Sequence, residues 1–352
     1  MRRAVSNALV RASLPVLSHL DPELAHDVAL AGLGLLRPLW RGPAVPTGLA
    51  LRCFGLQFSH PLGLAAGFDK NADYLDALGA LGFSHIEVGT VTPRSQPGNP
   101  KPRLFRFRGA QALVNRMGFN NKGVDHLVTM LARSRYRGVR GISIGKNFDT
   151  PIENAERDYV HCLRKVYPYA DYVAVNVSSP NTARLRELQD RDGLQRIVGA
   201  LLEARITLSR EFGKRVPLLV KVAPNLDTKQ IATIAQLLRE LQVDGVIATN
   251  TSTNLQEFRD ALPPDQLGGL SGAPLHRLSI SVITQLRAAL GADFPIIGVG
   301  GIVDAASALE TLRAGANLLQ VYTGFALHGH LLIGEILAAL AAQGHDRSGQ
   351  HR

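Results

Sequence analysis

Residues 172–182 read YVAVNVSSPNT, an apolar run that ends in a dense group of hydrogen-bonding side chains. The apolar part, residues 172–177, is typical of a strand buried on both faces, because it is rich in Val and shows little period-two alternation. The part from Asn176 to Thr182 carries amides, hydroxyls and a proline. Such a strand end is a poor way to build a core, so it predicts a functional site at the end of a buried strand.

Strand-like runs of this kind occur eight times from about residue 60 onward. They lie at 61–68, 85–91, 141–145, 172–177, 218–222, 245–249, 296–299 and 318–322. Helical patterns lie between several of them, at 197–208, 228–241 and 275–290. Eight β units with intervening helices predict an α/β fold, a parallel (β/α)8 TIM barrel. A doubly wound sheet is the alternative, but the glycine fingerprint usual near its first strand is missing.

The composition indicates a large globular chain and a small anionic ligand or surface. The chain has 352 residues, of which 45% are hydrophobic and 19% charged. Its two cysteines, Cys53 and Cys162, are too few for a disulfide framework and lack zinc-site spacing. The net charge of +10 comes from Lys and Arg scattered among acids. This pattern disfavours nucleic acid and suits anionic small molecules or an anionic membrane surface.

The first 45 residues differ in pattern from the rest. They contain a basic helical segment with no acid before Asp21, and a second segment opened by Asp21-Pro22-Glu23, which reads as a cap, a first-turn proline and an early acid. Their longest apolar run, 28–36, is too short to span a bilayer. A helical cap on the barrel and a pair of amphipathic helices on a membrane surface both remain open. The predicted units are residues 1–45, a helical extension; 46–340, the barrel; and 341–352, a polar tail.

The predicted strand ends carry the functional signal, because the chemistry of a barrel lies at the carboxyl ends of its strands. Most end in small, hydroxyl, amide or lysine residues, including 66–70, 89–90, 143–147, 176–181, 221, 249–251, 298–301 and 322–324. No metal-ligand spacing, GxSxG motif or close carboxylate pair accompanies them, so we predict no metal. The pattern favours a bound cofactor that does the redox work, with a Schiff-base lysine as the alternative.

Glycines follow the last two predicted strands, as Gly300-Gly301 and Thr323-Gly324. Barrels commonly bind phosphate there, through backbone N–H groups and a helix N-terminus. A turn alone explains one glycine pair, whereas two such ends on adjacent strands predict a phosphate-bearing ligand.

Taken together, these blocks resemble those of the dihydroorotate dehydrogenases, specifically the membrane-associated, quinone-linked class. The similarity runs from Leu20 to Leu332. Its most specific blocks are AAGFDK at 65–70, GTVTP at 89–93, NRMGFNN at 115–121 and NVSSPNT at 176–182. Further blocks are IATNT at 247–251, GGLSG at 268–272, IGVGG at 297–301 and QVYTGF at 320–325.

The resemblance implies oxidation of (S)-dihydroorotate to orotate in de novo pyrimidine (UMP) synthesis, with hydride passing to FMN and electrons then to a membrane quinone. It implies FMN contacts at Ala66, Gly67, Lys70, Thr90, Ser143, Asn176, Lys221, Thr249, Gly272, Gly301, Tyr322 and Thr323. It implies substrate contacts at Lys70, Asn115, Arg116, Met117, Gly118, Phe119, Asn176, Asn181, Asn250 and Thr251. Ser179 would be the catalytic base, and His26 and Arg106 would line the quinone passage.

One position departs from the family pattern. Related enzymes carry Asn where this chain has Ser143, so either Ser143 or Asn147 would supply that flavin contact. The resemblance also implies that residues 1–45 dock on the cytoplasmic side of the cell (inner) membrane as a peripheral segment that admits quinone. The oligomeric state stays open and is compatible with a monomer. Two alternatives remain: a soluble FMN-dependent dehydrogenase with another electron acceptor, and a non-catalytic phosphate-binding barrel.

Overall fold

The protein, seen in a computed structural model that describes residues 2–182, 184–263 and 268–349, is built around a closed barrel of eight parallel strands. The chain begins with two helices, α1 (Arg2–Leu17) and α2 (Pro22–Leu35), and a hairpin of β1 (Leu51–Cys53) and β2 (Leu56–Phe58). The barrel strands are β3 (Leu62–Leu64), β4 (His85–Val91), β7 (Val139–Ile144), β8 (Tyr172–Asn176), β9 (Leu218–Val222), β10 (Gly245–Ala248), β12 (Ile296–Val299) and β13 (Leu318–Val321). The predicted TIM barrel is confirmed, and the doubly wound sheet is excluded.

Helices follow most of the barrel strands and cover the outside of the barrel. They are α3 (Leu75–Gly79), α4 (Val124–Arg133), α5 (Ala155–Val166), α6 (Arg191–Phe212), α7 (Thr228–Glu240), α8 (His276–Leu290), α9 (Ala305–Arg313), α10 (Thr323–His328) and α11 (Leu331–Gly349). All eight predicted strands are present. The largest error lies at 61–68, where the strand ends at Leu64 because the chain turns at Gly67, with a φ of 95°.

The β1–β2 hairpin closes the amino end of the barrel. Phe58 packs edge-on against His85 and Phe54 against Tyr172, so aromatic rings fill the bottom of the interior. Above them the interior is mostly apolar, with Ala174, Leu219 and Ile297 in one buried cluster. The sealed bottom leaves the carboxyl end of the barrel as the open side.

The long connection between β4 and β7 covers part of that open side. It contributes β5 (Leu104–Phe107) and β6 (Ala112–Asn115), which pair with β11 (Gly269–Gly272) in an antiparallel sheet ordered β11-β6-β5. This sheet brings the 115–119 segment over the strand ends, where Asn115, Met117 and Phe119 line the same cavity as the strand-end residues.

The two predicted N-terminal helices are present, and α2 is firmly attached to the barrel. Asp21 caps α2 through N–H groups of Glu23 and Leu24, both 3.0 Å from its Oδ1. Glu23 is buried and forms an ion pair with Arg103, with 2.8 Å between Oε1 and Nη2. No helix in the described ranges is long and apolar enough to cross a membrane. The side chains of the basic residues Arg2 and Arg3 lie outside what the structure describes.

The C-terminal region differs from the predicted polar tail. Helix α11 continues through position 341 to Gly349, so these residues extend a helix rather than follow it. Residues 350–352 of the predicted tail lie outside the described residues.

Candidate active site

One cavity lies at the carboxyl ends of the barrel strands and has a volume of about 990 Å³, open mouth included. Residues from many strand ends and from the β11-β6-β5 sheet line it. They include most of the predicted site, namely Ala66, Gly67, Lys70, Thr90, Asn115, Met117, Gly118, Phe119, Asn176, Ser179, Asn181, Lys221, Thr249, Asn250, Thr251, Gly272, Gly301, Tyr322 and Thr323.

Two predicted contacts do not reach the cavity wall. Ser143 is fully buried behind Thr90, with 2.8 Å between their hydroxyl oxygens. Arg116 contributes its backbone to the neighbouring loop, where its carbonyl accepts from Asn99 Nδ2 at 2.8 Å. Neither residue is among those that line the cavity.

Asn147 does not supply the contact that Ser143 lacks. Its Nδ2 donates to Thr92 Oγ1 at 3.1 Å, to Arg94 O at 3.0 Å and to Gln96 Oε1 at 2.8 Å. Its Oδ1 accepts from the Arg94 N–H at 3.0 Å. This amide is therefore fully used in holding the loop after β4, and Asn147 lies away from the cavity.

Several cavity residues were not predicted as site residues. They are Ala65, Ser271, Leu275, Val299, Ile302 and Gln320, whereas Gly300 belongs to the predicted phosphate turn. Gln320 could have been found from the sequence, because it lies two residues before Tyr322 in the predicted strand 318–322, and side chains two apart in a strand share a face. Ser271 lies in the GGLSG block and forms a 2.9 Å hydrogen bond with Thr323 through their hydroxyls.

Amide side chains are oriented by one another on the cavity wall. Asn176 donates to Thr90 Oγ1 at 2.7 Å and accepts from Asn250 Nδ2 at 3.1 Å. On the other side, Asn181 donates to Asn115 Oδ1 at 2.9 Å. Because each amide has a fixed partner, these groups are preorganised to meet a ligand that presents its own amide donors and acceptors.

Ser179 lies on the loop after β8, and its side chain is 6% exposed. Its Oγ accepts a hydrogen bond from the Asn181 N–H at 3.2 Å, which leaves the hydroxyl hydrogen available for another partner. The loop is tied in place by Arg186, whose guanidinium donates to Ser178 O at 3.2 Å and to Thr251 O at 2.8 Å. The serine is therefore held at the cavity wall by contacts that do not consume its proton.

Two lysines bring positive charge to the cavity. Lys70 donates to Gly67 O at 2.9 Å, and burial lowers the pKa of its ammonium to about 8. Lys221 is 6% exposed, and burial lowers its pKa, while Glu87 at 3.9 Å opposes that shift. Charged lysines that burial has stripped of water interact strongly with an anionic ligand.

The glycines after the last two strands form a close backbone surface. Gly301 has a φ of 79°, and a Cβ there would lie 2.4 Å from His276 Cα, so only glycine fits. Thr323 begins α10, and the first N–H groups of a helix have no acceptor within the helix. This end of the cavity therefore fits the phosphate of a nucleotide cofactor, which backbone N–H groups can bind.

His26 and Arg106 lie outside the cavity, between the N-terminal helices and the barrel. His26 Nε2 is 2.9 Å from the Phe68 carbonyl and its ring packs edge-on against Phe68. Burial, followed by the nearby charge of Lys70, lowers the pKa of His26 to about 4. Arg106 donates to the Leu20 carbonyl at 2.7 Å and so holds the connection between α1 and α2. Among residues 2–182, 184–263 and 268–349, no group of His, Cys, Asp and Glu is arranged to hold a metal.

The proteins of known name that this chain is similar to are all dihydroorotate dehydrogenases, among those compared below. The sequence profile of the family described as dihydroorotate dehydrogenase matches residues 48–343. A protein of Marinobacter nauticus named dihydroorotate dehydrogenase (quinone) is 51% identical over 331 residues, which cover 92% of this chain and 96% of that protein. A protein of Alkalilimnicola ehrlichii with the same name is 50% identical over 337 residues, covering 94% and 98%.

Solved structures agree with the sequence matches. The crystal structure of DHODH from Eimeria tenella in complex with ferulenol has a TM-score of 0.83 and 35% identity, covering 91% of this chain and 90% of that one. The ligand-free structure from the same organism has a TM-score of 0.83 and 36% identity, covering 91% and 94%.

Proposed function

Because the chain belongs to the dihydroorotate dehydrogenase family, in its quinone-dependent class, we propose that its cavity binds FMN and (S)-dihydroorotate side by side. The protein is an enzyme that oxidises dihydroorotate to orotate, a step of pyrimidine biosynthesis. The observation that carries the FMN proposal is that every predicted FMN residue except Ser143 lines the cavity at the strand ends.

The proposed FMN site has a phosphate end and a ring end. Gly301 and Thr323 would hold the phosphate through backbone N–H groups, beside the hydroxyl of Thr323. Lys221 would lie against the ring, where its charge favours electron uptake. When bound, FMN supplies the redox chemistry, because it accepts the hydride and passes the electrons on.

The proposed dihydroorotate site uses the other half of the cavity. Dihydroorotate is an anion with several amide groups, and Lys70 matches its charge below about pH 8. The amides of Asn115, Asn181 and Asn250 match its amide groups, and their mutual hydrogen bonds hold them in place. Phe119, which is 9% exposed, closes the site against water.

Ser179 is the proposed base that takes a proton from dihydroorotate at its Oγ. A serine is a weak base unless its surroundings favour loss of its own proton. Here the Asn181 N–H donates to Oγ at 3.2 Å, a contact that favours negative charge on the oxygen. Lys70 also lines the cavity, and its positive charge acts in the same direction. Ser179 would take the substrate proton at Oγ while it passes its own hydroxyl proton to a relay, through Thr182 or a water molecule, that carries it to solvent.

The N-terminal helices are the proposed route for quinone. Large apolar side chains of this segment are exposed, among them Leu24 (50%), Val28 (46%) and Leu35 (82%). Exposed apolar residues on a helix suit a peripheral contact with a membrane, on the cytoplasmic side of the cell membrane in this proposal. His26 and Arg106 lie between these helices and the barrel, where a quinone head would approach.

The proposal is tested by purifying the protein and adding dihydroorotate without oxygen. We expect yellow protein with one FMN per chain, whose visible absorbance falls on adding dihydroorotate and returns on adding a long-tailed quinone. Return only with soluble acceptors would favour the alternative of a soluble FMN-dependent dehydrogenase. Colourless protein that gains no flavin on reconstitution would contradict the FMN site and leave a phosphate-binding barrel.

A further inference from the structure

A buried ion pair joins helix α2 to the long connection between β4 and β7 and is not used in the scheme above. Its members are Glu23 and Arg103, whose side chains are 10% and 8% exposed. Arg103 Nε donates to Glu23 Oε2 at 3.1 Å and Nη2 donates to Oε1 at 2.8 Å, so the contact is bidentate. Because a buried ion pair adds little net stability, stability alone is a weak reason for burying these two charges here.

The same guanidinium also holds the turn that precedes it. Arg103 Nη1 donates to the Pro97 carbonyl at 2.6 Å and to the Asn99 carbonyl at 2.8 Å. Together with the two bonds to Glu23, these contacts use most of the N–H groups that a guanidinium carries. Arg103 therefore fixes the 97–99 turn relative to α2.

From this turn, Asn99 supports both of the loops that carry proposed substrate contacts. Its N–H donates to the Met117 carbonyl at 3.0 Å, and its Nδ2 donates to the Arg116 carbonyl at 2.8 Å and to the Asn181 carbonyl at 3.3 Å. Met117 and Asn181 line the cavity, whereas neither Asn99 nor Glu23 is among the residues that line it. The contacts therefore run without a break from α2 to the proposed dihydroorotate half of the cavity.

We propose that Glu23 is a positioning residue for dihydroorotate, although it does not reach the cavity. Glu23 fixes Arg103 and thereby the 97–99 turn. In its fixed position, that turn holds Asn181 and the 115–119 segment in the arrangement that meets the substrate. This inference rests on the proposed dihydroorotate site, and it gives α2 a part in substrate binding in addition to the quinone route proposed for the N-terminal helices.

Charge alone predicts the opposite effect for this carboxylate. Glu23 places a negative charge near Lys70, where it opposes the larger effect of burial, which lowers the pKa of that lysine to about 8. Orotate is an anion, so the loss of the Glu23 charge should strengthen orotate binding as long as Lys70 stays charged. The positioning role predicts weaker binding, and a measurement at about pH 6, where Lys70 is charged, separates the two.

The test measures the affinity of the oxidised holoenzyme for orotate at this pH, from the change in flavin absorbance. Asn99→Ala removes the two Nδ2 hydrogen bonds and no charge, so orotate affinity should fall by about 3- to 10-fold, the usual range for one net hydrogen bond. Glu23→Gln should weaken binding at least as much, because it leaves the buried Arg103 without a compensating charge.

Lys101→Met is the matched control for Glu23→Gln. The Lys101 ammonium lies 3.3 Å from the same Glu23 carboxylate, but its side chain is 64% exposed. Since exposed ion pairs contribute little, Lys101→Met should leave orotate affinity unchanged.

A double variant tests whether Glu23 acts through Asn99. Contacts that act in series can be lost only once, so the variant with both Glu23→Gln and Asn99→Ala should bind orotate about as weakly as the weaker single variant. If Glu23→Gln does not fold, Glu23→Asp takes its place, because it keeps the charge and only shortens the reach to Arg103.

The outcomes distinguish this inference from the proposed function. Wild-type affinity in Asn99→Ala or in the Glu23 variant, or tighter binding by Glu23→Gln, would overturn the inference although orotate binds. It would also be wrong if Lys101→Met weakened binding as much as Glu23→Gln, or if the losses of the single variants multiplied in the double variant. Wild-type protein that contains FMN but binds no orotate would instead contradict the proposed function.

Discussion

Replacing Ser179 by Ala separates the proposed base from a turn hydroxyl, because the two roles predict effects of different size. Among the described residues, the Ser179 hydroxyl has one hydrogen bond, which it accepts from the Asn181 N–H at 3.2 Å. Losing such a contact costs about 0.5–1.5 kcal/mol of unfolding free energy. Losing a general base slows its step by roughly 10² to 10⁴, which is about 2.7–5.4 kcal/mol of activation free energy. A catalytic role therefore shows as a rate loss much larger than the stability loss.

The assay is anaerobic stopped flow at saturating dihydroorotate, following the loss of flavin absorbance, with unfolding measured on the same preparation. We expect Ser179→Ala to remain yellow and to slow this phase by at least about 10². Ser179→Cys should retain partial activity with a shifted pH profile, because a thiol loses its proton more easily. A rate for Ser179→Ala within about threefold of wild type would refute the assignment.

The neighbouring hydroxyl provides the matched control. Ser178 is fully buried, and its Oγ accepts from Asn250 Nδ2 at 3.0 Å, so it supports a proposed substrate contact and does not line the cavity. Ser178→Ala should raise the KM for dihydroorotate more than it lowers the limiting rate. Equal losses of limiting rate in Ser178→Ala and Ser179→Ala would indicate that the loop, and not one hydroxyl, is responsible.

Three further predictions concern the cofactor, the substrate and the quinone. Gly301→Val should give colourless protein, since the φ of 79° at Gly301 and the backbone packed behind it leave no room for a side chain. Full FMN content in that variant would show that the phosphate is not bound at Gly301. Burial lowers the pKa of Lys70 to about 8, so its charge is present below that pH and lost above it. The kcat/KM for dihydroorotate should therefore fall above about pH 8. If a Lys70→Met variant showed the same fall, titration of Lys70 would not be its cause. Arg106→Met should slow reoxidation by a long-tailed quinone roughly tenfold, because Arg106 holds the connection between α1 and α2 through charged hydrogen bonds. Arg108 is exposed, so Arg108→Met should leave this rate unchanged. Equal effects of the two substitutions would indicate a general effect of lost positive charge.

The sequence was sufficient for the barrel because strands buried on both faces leave a clear apolar signal, and all eight were found. The sequence was less reliable in placing the end of a strand that leads into a turn. After Leu64 the strand has ended, but the small apolar residues Ala65 and Ala66 continue the apolar run. The hairpin that closes the amino end was not predicted, because its two strands are only three residues each.

Most cavity residues could be placed from strand ends, but individual side chains could not. Ser143 was assigned to FMN, yet it lies behind Thr90, a depth that strand position alone does not give. Arg116 lies between Asn115 and Met117, which both line the cavity, but Arg116 itself does not. Glu87, which contacts Lys221, was missed for the opposite reason, since a polar residue inside a strand gives no signal until its partners on other strands are known.

The most direct test of the account is a crystal structure of the purified protein with orotate bound. The account predicts FMN in the cavity with its phosphate at Gly301 and Thr323. It also predicts orotate between Lys70, Asn115 and Asn181. Ser179 Oγ should lie next to the ring carbon from which the proton is removed. Orotate bound away from Ser179, or a flavin phosphate away from the glycine turn, would contradict it.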